Sequence, residues 1–223
     1  VTAILDWTIP NPPTHSVTPH DPPVLDEGVR LPDPEPLPAS PPADWRDVPI
    51  PARMAHLKRD RRGYPIFYTI QPRVPVVDGA AVDFRVLNLR HHILCARHRR
   101  CGICGTRIDG PLTFIGGPMC VKARIFGDAG VHEECADYAR RVCPYLVNAN
   151  RNYDERDVPG TYHDPNVIRA KPQRLVLYRA TAYRQIPGGE GKPVFLVKPA
   201  ELVDWFLPDG TYVCRTRPTL YAQ

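Results

Sequence analysis

Apolar positions are scattered without period over the first fifty residues and then gather into short alternating or helical runs. Across residues 1–51, Ile4, Leu5, Trp7, Ile9, Val24, Leu25, Leu31, Leu37 and Trp45 stand among prolines at no spacing that suits a helix or a strand, which predicts an extended arm. Within it, PDPEPLPASPP (32–42) favours polyproline II. MAHLKRDRRG (54–63) then reads as a short basic helix or turn, and YPIFYTI (64–70), rich in aromatic and β-branched residues, as a strand. Val76-Val77-Asp78-Gly79 predicts a turn ahead of VDFRVL (82–87). Asn88 can cap a helix over 89–100, with Leu89, Ile93 and Ala96 on one face and Arg90, His91, Arg97 and His98 on another. His91 and His92 are expected to face solvent or the edge of the core.

Farther along, TRIDGPLTFI (106–115) predicts a hairpin turning at Asp109-Gly110. HEECADYARRVC (132–143) predicts a helix stopped by Pro144, with Glu133, Glu134 and Asp137 near its positive end and Arg140 and Arg141 near its negative end. A polar connector covers 147–170. RLVLYRATAYRQI (174–186), the loop 187–192 and PVFLVKP (193–199) predict a C-terminal β-hairpin, followed by a short helix ELVDWF (201–206) and a turn at Asp209-Gly210. The fold class is therefore α+β. Three regions follow: an arm at 1–51, a basic α+β region at 52–146, and a connector plus β-hairpin region at 147–223.

Charge sharpens that division. Fourteen of the 28 prolines and eight acidic residues lie in 1–51, against only Arg30 and Arg46, so this stretch carries −6 while the remainder carries +11. An arginine-rich body suits phosphates, nucleic acid or an acidic partner surface. Lys58, Arg59, Arg61 and Arg62, then Arg90, Arg97, Arg99 and Arg100, form its two densest runs. The arm lacks the apolar content to fold alone and is expected to dock on its own body or on a neighbour.

The chemistry resides in cysteine and histidine. Cys101, Cys104, His132 and Cys135 make C-x2-C-x27-H-x2-C, a spacing that suits tetrahedral zinc. On the predicted helix His132 and Cys135 are i and i+3, so they share a face. Cys120 is an alternative to His132 as fourth ligand. Cys95 and His98 form another x2 pair, which would need two further ligands to hold a second metal. Four protein ligands leave no position open, so the zinc is expected to be structural. Three thiolates with Zn²⁺ carry a net −1, which Arg99, Arg100 and Arg107 can neutralise. Seven cysteines, an odd number, six of them between positions 91 and 143, fit a metal site in a reducing cytoplasm better than a disulfide scaffold. No apolar run reaches the length of a membrane span.

Knuckle, hairpin, then two ligands on a helix is the order that resembles a treble-clef finger, here over 101–146. More widely, RDRRGYPIFY, VDGAAVDFRV, CGICG, FIGGPMC, HEECADYARRVCPYL and VDWF-x-PDG resemble an uncharacterised family of small zinc-finger proteins from actinobacteria and their phages, over roughly 54–210. The resemblance implies a soluble, intracellular zinc-binding protein of bacterial or phage origin, and brings no activity with it. One departure is FGDAGVHEEC, where Gly127 and Gly130 replace a proline-rich stretch.

Together these features predict a zinc-stabilised adaptor that contacts nucleic acid or a protein through its arginines. An alternative is a phage structural or host-interaction protein whose arm orders on assembly. A nuclease built on a treble clef needs a general-base histidine on the hairpin and an open metal position, and 106–115 contains no histidine. No catalytic residues are assigned.

Overall fold

A computed structural model describes residues 44–72, 82–84, 86–147, 172, 174–207 and 209–217. The arm up to residue 43, the turn at 76–79 and the connector at 148–170 lie outside the described residues. The described fold mixes helices with antiparallel sheets. In order come α1 (Leu89–His98), β1 (Leu112–Gly116), α2 (Pro118–Ala123), β2 (Ile125–Phe126), α3 (Glu133–Val142), α4 (Pro144–Val147) and the strands β3 (Leu175–Ala180), β4 (Tyr183–Pro187), β5 (Pro193–Val197), β6 (Leu202–Phe206) and β7 (Tyr212–Thr216). One sheet runs β1-β3-β6-β7 and the other β2-β5-β4. No helix among the described residues is long and apolar enough to cross a membrane.

The core sits where the sheets and α3 meet. Phe114, Phe126, Tyr178, Tyr183 and Phe195 make one connected ring cluster, with centroids 5.2–6.1 Å apart. Tyr178 also ties the corner after β5, its hydroxyl donating to the Lys198 carbonyl at 3.1 Å and accepting from the Ala200 N–H at 2.8 Å. Without those partners a buried phenol would be costly.

Four of the expected elements change. The strand 174–186 is two strands, because the chain leaves the larger sheet at Thr181-Ala182 and enters the smaller one; β4 and β5 form the hairpin around 188–192. ELVDWF is strand β6, not a helix. Leu202 with Trp205, and Val203 with Phe206, are three apart and so mimic helical spacing, but β3 and β7 supply backbone partners on both sides. YPIFYTI is irregular and ends in a 3₁₀ turn at Tyr68–Ile70; its N–H groups go to Lys58, Ile103 and Gly102 carbonyls instead of to a sheet. The hairpin at 106–115 does not close on itself: Arg107 bridges Arg100, whereas β1 pairs with β3. The turn at Asp209-Gly210 is present, with the Thr211 N–H bonded to the Asp209 carboxylate at 2.8 Å.

Asn88 caps α1 through the His91 N–H, and α3 runs as the sequence suggests, with Pro144 opening a separate turn of helix. The buried face of α1 is His92, Cys95 and Ala96, with Leu89 and Ile93 only partly covered. His92 is thus neither at the solvent nor at the core edge. Its Nε2–H donates to the Pro193 carbonyl at 2.9 Å and its ring packs edge-on against Phe195.

Candidate metal centre

Two separate pieces of chain carry the cluster, and backbone bonds bring them together. After α1, Arg99 adopts a left-handed conformation (φ 50°) and reverses the chain. Cys101 donates to the Thr106 carbonyl at 2.8 Å and Gly105 to the Cys101 carbonyl at 2.9 Å, closing the C-x2-C turn. Gly105 has φ +77°, and a Cβ there would lie 2.8 Å from the Tyr68 ring, so both backbone and space require glycine. Tyr68 and Thr69 donate their N–H groups to the Ile103 and Gly102 carbonyls, fastening the turn from outside. Opposite it, Val131 exchanges two bonds with Thr113 at 2.8 and 2.9 Å, and Gly130 accepts from Gly102, which sets the start of α3 against the turn.

His132 stands at the N-cap of α3 and Cys135 in its first turn. The ligand atoms of Cys101, Cys104, His132 and Cys135 all lie within 4.8 Å of one another, and all four residues are buried. For sulfur about 2.3 Å and nitrogen about 2.0–2.1 Å from one ion, tetrahedral geometry puts S···S near 3.8 Å and S···N near 3.5 Å. Cys104 Sγ is 3.4 Å from His132 Nδ1. The donor set fits a small tetrahedral cation, and these four residues could hold a metal ion.

The surroundings suit that role. With Nδ1 turned inward, His132 Nε2 sits 3.1 Å from the Arg107 carbonyl and can donate to it, fixing tautomer and ring orientation. The Thr106 hydroxyl is 3.1 Å from Cys104 Sγ, and the Cys104 N–H reaches Cys101 Sγ at 3.4 Å. Arg53 lies against the outer edge of the ring, 2.9 Å from Nε2, and pairs with Glu134. That Glu134 bond, followed by the nearby Cys104 and Cys135 sulfurs, raises the Arg53 pKa. Hydrogen bonds from Cys101 and Cys135 hold the Cys104 thiol far below its usual range. Burial first pushes Cys101 up to about 11, and the hydrogen bonds to its two neighbours push Cys135 far higher. Among the three sulfurs Cys104 is thus the most acidic and Cys135 the least.

Cys120, Cys95 and His98 are not in this cluster, which is the sole potential metal group among the described residues. Cys95 is buried under α1, its pKa pushed up to about 12 by burial, while His98 on the same helix is exposed. Gly117 precedes Pro118 at the first position of α2, a start signal readable from the sequence.

The arginines divide into two groups. Arg99 gives its guanidinium to the Ile108 and Gly110 carbonyls and Arg100 to Gly105, so both fasten the turn at Cys101–Gly105. Lys58, Arg61, Arg90 and Arg97 are exposed. Arg59 and Arg62 line one cleft together with Arg46, a residue that the sequence reading left in the arm. Arg53 was also missed; 79 residues separate it from His132, and no spacing signals such a contact. No protein-family model matches the chain, nor does any curated protein or solved structure.

Proposed function

We propose that the chain is a non-catalytic binding module in which zinc fixes the fold and arginines contact nucleic acid. The observation carrying this reading is the buried set of three sulfurs and one nitrogen, a combination that favours zinc among the common divalent ions. When bound, zinc supplies a cross-link between the turn at 101–105 and the start of α3. Cys101, Cys104, His132 and Cys135 hold it, the Arg107 carbonyl orients the histidine, and Arg53 with Thr106 offsets the thiolate charge. The order of turn, strand and ligand-bearing helix supports a treble-clef type of finger, one whose strand β1 is shared with the larger sheet. Kinship with the zinc-finger proteins of actinobacteria and their phages, and a reducing cytoplasmic setting, accord with buried free thiols.

The body's net +11 and its exposed arginines support nucleic acid as the contact, since guanidinium forks grip phosphates in pairs. Elemental analysis of the purified chain is expected to give one zinc per molecule. Binding to a single-stranded oligonucleotide should weaken steeply with salt. Zinc-free folded protein, or salt-independent binding, would overturn the reading.

A further inference from the structure

Beside the finger, a cleft of about 250 Å³ is lined by Trp45, Arg46, Val48, Ile50, Arg59, Arg62, Gly63 and Tyr138. Three arginines line it and, among the described residues, no acidic one does. Each is held in place by its surroundings. Asp60, whose side chain is wholly buried, takes Arg62 by an ion pair at 2.6 Å and by the Nε–H at 2.8 Å, and the Val82 carbonyl takes another Arg62 N–H at 2.8 Å. Arg59 gives one N–H to the Gly63 carbonyl at 3.2 Å. Arg46 is tied to the exposed Asp44 at 3.1 Å.

Rings provide the rest of the support. Arg46 lies over Trp45 at 4.8 Å, Trp45 stacks on Tyr64 at 4.1 Å, and Arg62 lies over Tyr64 at 5.2 Å. This run of cation, ring, ring and cation places two guanidiniums at fixed positions, with the third, Arg59, beside them. A guanidinium has five N–H donors, and the bonds above leave several on each arginine unspent. Gly63 (φ +92°) permits the turn that carries Arg59 and Arg62, and a Cβ there would come within 3.3 Å of Trp45.

We propose that this cleft is a binding site for a phosphate group. Fixed guanidiniums with spare, planar donors suit tetrahedral oxyanions, and Trp45 is already engaged in positioning them instead of in stacking a base. The volume is below that of drug-sized pockets, so the site takes a phosphoryl head with its attached sugar, not a whole cofactor. Resting on the function proposed above, the favoured source is the backbone of a nucleic-acid strand; a free phosphate ester carries the same chemistry.

The test uses the full zinc-loaded chain, a labelled single-stranded oligonucleotide of ten thymidines, and ribose 5-phosphate as the small probe. The double variant Arg46→Gln with Arg59→Gln changes two exposed side chains, and Arg184→Gln on β4 serves as control. Circular dichroism and zinc content check that each variant folds. The double variant should lower oligonucleotide affinity at least tenfold and flatten the log–log salt slope by about 1.4, or 0.7 per lost phosphate contact, while the control does neither. Ribose 5-phosphate binding that the double variant abolishes, without oligonucleotide binding, would sustain the phosphate site and remove the strand as its source. Oligonucleotide binding that the double variant leaves unchanged would overturn the cleft and spare the broader function. If neither probe binds, both fall.

Discussion

Loading the cluster with zinc should release two protons at neutral pH. The magnitude follows from the distances. Even at the widest separation, 4.8 Å, two thiolates in surroundings of effective dielectric about 20 repel by about 3.5 kcal/mol. That equals about 2.5 pH units, which carries a second thiol from its ordinary value of about 8.5 to about 11. Burial first, and then the Cys104 hydrogen bond and charge, push Cys101 up to about 11. A third charge costs more still, and Cys135 is pushed highest of the three. Without metal the trio therefore carries one charge, on Cys104, and zinc must displace the protons of Cys101 and Cys135. The sign is fixed: metal affinity rises with pH, by about a hundredfold per unit while two protons compete. Calorimetric titration of zinc at pH 7.5, in buffers of differing ionisation enthalpy, counts the protons directly. A count near zero would mean that all three sulfurs are already thiolates at this pH, which would refute the repulsion argument. A count of three would place a proton on Cys104 and refute the hydrogen-bond assignment.

Other perturbations test the surrounding structure. Burial holds the His92 pKa below its ordinary 6.5, so the unfolded chain binds more protons below that pH; the associated stability is complete above it and is lost as pH falls toward the folded value. Urea midpoints of zinc-loaded His92→Leu should thus lose less between pH 7.5 and 5.5 than those of the parent, and equal losses would refute the burial argument. Asp60→Ala should cost about 2–3 kcal/mol by urea unfolding, because it leaves the Arg62, Tyr64 and Val82 N–H groups short of an acceptor; a change under about 0.5 kcal/mol would contradict the network. Gly105→Ala should cost about 1–3 kcal/mol from backbone strain together with the clash on Tyr68. Pairing it with Tyr68→Ala should relieve the clash alone, which a double-mutant cycle reads as coupling between the two sites.

The chain announces its local features and conceals its long-range ones. The capping by Asn88, the helix 133–142, the hairpin around 188–192 and the four ligands all rest on spacings of a few residues, and the structure places them as those spacings suggest. Sequence failed where a partner lies far along the chain. YPIFYTI has strand composition, yet its donors are claimed by the 101–105 turn more than thirty residues away. ELVDWF has helical spacing, yet β3 and β7 flank it. Arg46 could not be connected with Arg59 and Arg62 because the ring stack joining them is tertiary.

The segment that carries the Cys/His cluster is also not an independent appendage, and α3 shows why. Its first turn carries two of the four ligands, and there Glu133 pairs with Arg179 of β3. Arg179 reaches the buried Asp204 of β6 at 3.0 Å, and Asp204 in turn holds Arg215 of β7 at 2.6 Å. In the last turn of the helix, Arg140 lies 4.3 Å over the Phe206 ring and donates to the Gly210 carbonyl at 3.1 Å. Asp204 is buried with two arginines as its counter-charges, and such a group tolerates little displacement of its partners, because an unpaired buried carboxylate is strongly destabilising. A cation that fixed the start of α3 would thereby fix Glu133 and help hold Arg179 in register on the larger sheet. Its influence would reach the C-terminal strands through this chain of charges, so on the function proposed above its removal should disturb Trp205 on β6 as well as the turn at Cys101–Gly105.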